Sequence, residues 1–193
     1  MARVNQQVIN ILKSGGVGVL PTDTLYGLVG SALNKKAVER IYGVKKRDKS
    51  KKMIVLIASQ KDLQLFKIKL NSRTKKFLKK AWPNPVSVIL SLSQDEIFNK
   101  TIAYLHRDSD TLAFRVPKPR WLRRLLKKTG PLVAPSANPD SLPPAENIEQ
   151  AKNYFGANID FYVNAGQLTG EPSTIVKPNE TGLEIRRQGA VKI

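Results

Sequence analysis

Apolar positions recur at helical spacing through Val4, Val8, Ile11 and Leu12 and then give way to Gly15-Gly16, which predicts a first helix with a glycine stop. The short apolar run at 17–20 predicts a strand. It delivers the chain into Pro21-Thr22-Asp23-Thr24-Leu25-Tyr26-Gly27, a segment too rich in hydroxyls and glycine to read as core. Asn34 is placed to cap a second helix carrying Ala37, Val38, Ile41 and Tyr42, and a basic loop over 45–52 leads into a buried strand at 53–58. Ser59 with Asp62 forms a capping pair for a short helix, and 71–82 predicts another that Pro83-Asn84-Pro85 ends. Strands are predicted at 86–92 and 111–116, a helix at 119–128, and a strand at 132–134 that runs into Pro135-Ser136-Ala137-Asn138. The last third offers a helix near 146–155 and short strands around Phe161, 173–176, 183–187 and 190–193.

Helices alternating with short apolar strands predict an α/β layered fold on one twisted β-sheet, mixed because several late strands follow one another closely. No internal repeat is visible, and the proline-rich stretch 131–144 reads as an ordered loop beside a site. A chain of 193 residues is the size of one large domain, so 1–193 is expected to fold as a single unit. With 41% apolar residues spread along its length, it can bury enough surface to offset its ordering entropy.

Charge changes the picture more than size does. Thirty-three Lys and Arg against 15 Asp and Glu leave a net +18, a field that attracts polyanions and makes a nucleotide or nucleic acid the natural partner. The competing reading is that basic side chains only solubilise the surface. No apolar run approaches the roughly 20 residues of a membrane span, and the start of the chain reads as a polar helix, so a cytoplasmic protein without membrane contact is expected. The absence of cysteine removes disulfides, thiolate nucleophiles and cysteine metal sites from consideration.

Elimination narrows the chemistry further. The one histidine, His106, stands beside Arg107 and Asp108 and reads as a loop residue; a protein-built zinc site lacks ligands. Around the hydroxyl-rich segments only Asp23 supplies a carboxylate, so a two-carboxylate glycosidase or a two-metal centre lacks its parts, and any Mg²⁺ is carried by nucleotide phosphates. Gly16-Val17-Gly18 lies after a helix and before a strand, the reverse of a dinucleotide fingerprint, and there is no Walker A loop.

What remains is a set of basic and hydroxyl groups at predicted strand ends: Thr22 and Thr24; Lys45, Arg47 and Lys51; Thr111 and Arg115; Ser136 and Asn138; Ser173 and Thr174; and Arg187. Such groups suit a triphosphate, with arginine forks on phosphate or carboxylate, lysine as a point charge and hydroxyls donating the remainder. Each alone also has a structural reading, as a turn cap or part of a solvated charge run. Their shared placement just outside apolar strands is where open α/β sheets bind ligands.

At these segments the sequence resembles the YrdC family of threonylcarbamoyl-adenylate synthases. The resemblance runs from Pro21-Thr22-Asp23-Thr24-x-Tyr26-Gly27-Leu28 through Lys45-x-Arg47 and Trp82-Pro83-x-Pro85 to Arg115-Val116-Pro117, Ser136-Ala137-Asn138, Pro172-Ser173-Thr174 and Arg187-x-Gly189-Ala190, in the family's order over nearly the entire chain. It implies a YrdC-like fold with a basic concave cleft, in the short form lacking an extra C-terminal domain. It also implies a reaction in which L-threonine, bicarbonate and ATP give threonylcarbamoyl-AMP, pyrophosphate and water, after which partner proteins transfer the threonylcarbamoyl group to tRNA.

By the same resemblance, Arg47, Lys51, Thr111, Ser136, Asn138 and Arg187 would hold ATP, and Thr24, Arg115, Ala134 and Ser173 would hold threonine, Arg115 pairing with its carboxylate. Lys45 and Arg47 are the candidates for charge cancellation at the α-phosphate, because in-line attack at phosphorus needs positioning and cation more than a carboxylate base. Asp23 and Tyr26 are expected to shape the loop, Asp23 also being able to orient a basic neighbour. The sequence departs from the family at Lys52-Met53, Asn84 and Asp140-Ser141; an acidic side chain beside a nucleotide loop would repel phosphate, so Asp140 is expected to face solvent. The alternative reading is a non-catalytic double-stranded RNA or tRNA-binding module, resting on two predicted basic helices: Arg73, Lys75, Lys76, Lys79 and Lys80 on one, Arg120, Arg123, Arg124, Lys127 and Lys128 on the other.

Overall fold

The computed structural model describes residues 4–180 and 182–193, and its spine is one nine-stranded mixed sheet. The strands are β1 (Val17–Pro21), β2 (Tyr26–Ser31), β3 (Ile54–Leu56), β4 (Val86–Ser91), β5 (Thr111–Arg115), β6 (Leu132–Val133), β7 (Phe161–Tyr162), β8 (Thr174–Pro178) and β9 (Leu183–Arg187). They lie in the order β7-β1-β2-β6-β3-β5-β4-β8-β9. Pairings β1/β7, β3/β5 and β4/β8 are parallel and the other five antiparallel, which is the mixed sheet expected from strands that crowd together late in the chain.

The helices are α1 (Gln6–Lys13), α2 (Lys35–Lys45), α3 (Ser72–Ala81), α4 (Glu96–Thr101), α5 (Ala103–His106), α6 (Arg120–Thr129) and α7 (Ile148–Phe155). Asparagine starts four of them. The side chains of Asn5, Asn34, Asn71 and Asn147 accept from the backbone N–H of Val8, Ala37, Thr74 and Gln150, each satisfying an amide that the first turn cannot. Ser59 and Asp62 form the expected capping box on a 3-10 turn, Gln60–Phe66.

Strand alternation sends side chains to two separate apolar layers. Leu20, Val29, Leu56 and Leu132 pack with Val8, Ile9 and Leu12 of α1 and with Leu122, Leu125 and Leu126 of α6. Their neighbours Val19, Leu28, Val55 and Val133 face the opposite layer, which α2, α3, α5 and α7 cover with residues such as Ile41, Leu78, Leu105 and Phe155. Burying each such leucine or valine contributes roughly 1.5–3 kcal/mol, so the leucine stripe of α6 holds that helix on the sheet while its basic residues stay outside.

Three stretches differ from the sequence expectation. Tyr26 and Gly27 open strand β2 and Tyr26 is fully buried, although the hydroxyls and glycines around them argue against core. Glycine conceals this strand because it is used for close approach: a Cβ on Gly30 would lie 3.1 Å from Ile41 Cδ1. Helices α4 and α5 are too short to show a period, and they carry His106 out of the expected loop into a buried position, its Nε2 2.9 Å from Asn99 O. Residues 190–193 form no strand; Ala190 N donates to Pro172 O and Val191 N to Thr174 Oγ1.

Candidate active site

The hairpin turn between β1 and β2, the end of β5, the loop after β6, the segment after α2 and the β8–β9 pair all open onto one cavity of about 510 Å³, a size suited to small-molecule ligands. Its wall carries Arg47, Lys52, Arg115 and Arg187 against the single carboxylate Glu146.

Arg115 is 4% exposed. It is held by the end of β5, and its Nη2 lies 3.2 Å from Asp23 Oδ1 with both side chains almost wholly buried. Asp23 Oδ2 accepts from Lys118 N at 3.0 Å, which fixes the carboxylate. Neither Arg115 Nε nor Asp23 Oδ1 completes a hydrogen bond. Burial pulls the Arg115 pKa down from its ordinary value, Asp23 opposes that fall, and the positive charge of Arg187 adds to it. A guanidinium buried at a cavity wall with its Nε donor unfilled is built to receive an anion.

Arg187 anchors the neighbouring wall. Its Nε and Nη2 donate to Ser173 O at 3.1 and 2.8 Å, Nη2 also reaches Ser173 Oγ at 3.2 Å, and Ser173 Oγ lies 2.9 Å from Ser87 Oγ. Burial lowers its pKa as well. The turn at Gly189 needs glycine here, since a Cβ would fall 2.1 Å from Pro172 O.

Opposite lie the threonines of the β1–β2 turn. Thr22 Oγ1 donates to Leu25 O at 2.7 Å and stands 3.0 Å from Thr24 Oγ1. The turn is stitched to the loop after β6 by Leu28 N to Pro135 O and Ala137 N to Tyr26 O, both 2.9 Å. Tyr26 Oη donates to Gly166 O and accepts from Ala165 N, so this tyrosine, expected to shape its own loop, instead ties strand β2 to the 165–166 segment.

Lys45 lies behind the wall, not in it. It is 1% exposed, and its Nζ donates to Ser136 O at 2.7 Å, to Asn138 O and to Asn138 Oδ1 at 3.3 Å, while its own carbonyl accepts from Asp140 N. Burial pushes its pKa down to about 8, Arg47 adding to the fall and Asp140 opposing it. Expected as a cation facing the reacting phosphate, it instead clamps the 136–142 loop, because three carbonyl-type acceptors satisfy the ammonium more fully than an open cavity would.

Asp140 overturns the expectation that it faces solvent. Its Oδ1 accepts from Arg47 Nη1 at 2.9 Å and its Oδ2 from Lys51 Nζ at 2.7 Å. Two cations attract it more strongly than water does, and the Lys51 hydrogen bond, with Arg47 and Lys45 nearby, holds its carboxyl below the usual carboxylate range. Arg47 also donates Nε to Lys51 O and Nη2 to Lys52 O.

The Sua5_yciO_yrdC family model, described as telomere recombination, matches residues 10–189. The chain belongs to this family. It is 34% identical over 180 residues to a threonylcarbamoyl-AMP synthase of Nitrosococcus oceani, covering 91% of this chain and 93% of that one. It is 30% identical over 178 residues to the threonylcarbamoyl-AMP synthase of Halorhodospira halophila, at 91% and 90% coverage. Among solved structures, Pyrococcus abyssi Sua5 complexed with L-threonine superposes with a TM-score of 0.84 at 26% identity, over 97% of this chain and 55% of that one.

Of the residues that the Sua5/YciO/YrdC resemblance singles out, Thr24, Arg47, Arg115, Ala134, Ser136, Ser173 and Arg187 meet around the cavity. Lys45, Lys51, Thr111 and Asn138 do not line it: Lys51 is tied to Asp140, Thr111 Oγ1 accepts from Lys52 Nζ, and Asn138 accepts from Ser136 Oγ and donates to Leu142 O. Sequence reasoning missed Lys52, Glu146, Thr169 and Gly170 as cavity residues. Only Lys52 carried a signal, as a cation in the run next to Arg47.

Proposed function

We propose that the protein is a threonylcarbamoyl-AMP synthase, making threonylcarbamoyl-AMP and pyrophosphate from L-threonine, bicarbonate and ATP. The observation that carries this reading is Arg115, a buried arginine with an unfilled Nε donor at the wall of a cavity also lined by Thr24, Ala134 and Ser173. That set offers a fork for an amino-acid carboxylate and small hydroxyls for its polar side chain. The names of the relatives and the threonine complex of P. abyssi Sua5 support the same substrate.

In this account the threonine amine and bicarbonate form a carbamate with loss of water. A carbamate oxygen then attacks the α-phosphorus and the bond to the bridging oxygen of pyrophosphate breaks. Arg47, Ser136 and Arg187 contact the nucleotide, Arg47 serving as the catalytic cation. Lys45 and Asn138 are positioning residues that hold the Ser136 loop, Lys51 sets Asp140, and Thr111 contributes through Lys52. Mg²⁺ arrives on the nucleotide phosphates. The reaction takes place in the cytoplasm, the exposed basic sides of α3 and α6 contact tRNA, and separate transfer proteins consume the adenylate. Among the described residues no helix is long and apolar enough to cross a membrane.

The test is Arg115→Met assayed for pyrophosphate release. The proposal expects a rise of about 100-fold in KM for threonine, as for loss of a bidentate charged contact. Unaltered threonine dependence in that variant would remove the assignment.

A further inference from the structure

The cations at the α2 side of the cavity are not equivalent. Arg47 and Lys51 share one carboxylate, Asp140, at 2.9 and 2.7 Å, so their charge is partly cancelled before any ligand arrives. Arg47 also directs Nε and Nη2 at the carbonyls of Lys51 and Lys52. Those two bonds fix the backbone at 51–52, and the fixed backbone sends neighbouring side chains apart: Lys51 to Asp140, Lys52 to the cavity wall. Lys52 lines the cavity, and its Nζ donates to Ser109 Oγ at 2.9 Å and Thr111 Oγ1 at 3.2 Å, both neutral and both just outside the lining. Among the described residues Lys52 forms no ion pair. It is therefore a cavity cation whose charge no carboxylate offsets, and an ammonium has a third donor beyond the two hydroxyls.

We propose that Lys52 is a nucleotide-contacting residue of this chain: its ammonium, braced by Ser109 and Thr111, meets the phosphates of ATP while Asp140 keeps Lys51 turned away. The inference rests on the synthase reading for the identity of the anion. A triphosphate gains more from an uncompensated charge than from one already paired, since the paired charge must first release its carboxylate. Threonine, by contrast, is placed at Arg115, and its binding does not depend on Lys52.

The deciding experiment compares the wild-type chain with Lys52→Met and Lys52→Arg, using pyrophosphate release and calorimetric titration with ATP and Mg²⁺. Lys52→Met is expected to weaken ATP binding and raise its KM about tenfold, with the KM for threonine within about twofold of wild type, and Lys52→Arg to restore most of the loss. Wild-type turnover with unchanged ATP affinity in Lys52→Met would overturn the inference alone. An equal rise in both KM values that Lys52→Arg does not rescue would also overturn it, marking a distorted cavity. A wild-type chain that neither binds ATP nor releases pyrophosphate would overturn the synthase reading and this inference together.

Discussion

Replacing Asp23 by asparagine removes one negative charge from a pair in which the side chains of Arg115 and Asp23 are 5% and 3% exposed. The amide keeps the shape and still accepts from Lys118 N, so the packing of the β1–β2 turn survives and the loss is electrostatic. Breaking a buried ion pair from one side costs roughly 3–5 kcal/mol, because the remaining charge stays desolvated. Arg115 borders a cavity that water can enter, so the lower end, about 3 kcal/mol, is expected. For a chain of this length each kcal/mol shifts the melting temperature by roughly 2–4 °C, giving a drop of about 6–12 °C in a thermal scan at neutral pH. The double variant Asp23→Asn/Arg115→Met should recover most of that, since it leaves no charge stranded. A melting temperature within about 2 °C of wild type for Asp23→Asn, or a double variant less stable than the single one, would refute this account of the pair.

The Asp140 clamp makes a prediction of the opposite sign for function. Freeing Arg47 and Lys51 with Asp140→Asn removes two partly exposed ion pairs worth roughly 1 kcal/mol together, so the KM for ATP should fall about fivefold; a rise would show that the clamp helps to bind nucleotide. Because the Asp140 carboxyl is held below the usual carboxylate range, the wild-type to variant ratio should stay flat from pH 5 to 8, as steady-state kinetics at several pH values would reveal. Lys45→Met leaves the acceptors at Ser136 and Asn138 short of a donor and should cost about 2 kcal/mol in urea unfolding at pH 7. Lys45 titrates at about 8 when folded and at its ordinary 10.5 when unfolded, so the folded state binds fewer protons between those values. The stability of wild type relative to Lys45→Met should therefore grow from pH 8 to 10.5, and a decline over that range would contradict the assigned burial effect.

Much of the molecule was legible where one physical signal dominated. The Asn34 cap, the Ser59–Asp62 box and the helices expected over 71–82 and 119–128 all stand where the pattern of side chains puts them. Strand β2 was hidden because its glycines serve close packing, and glycine in sequence reads as turn. At the cavity, Thr24, Arg47, Arg115, Ser136, Ser173 and Arg187 come together because each sits at or beside the end of a strand or helix. Motif spacing did not reveal which way lysines point. Lys45, Lys51 and Lys52 are separated only by backbone direction and by the position of Asp140, 88 or more residues away in sequence, and no local pattern encodes that geometry.

The most direct measurement is pyrophosphate release by the purified chain with ATP, Mg²⁺ and bicarbonate, with and without L-threonine. The account predicts release that requires threonine and collapses in Arg115→Met at threonine concentrations saturating for wild type. Release indifferent to threonine, or no release while RNA still binds in a salt-sensitive manner, would contradict it.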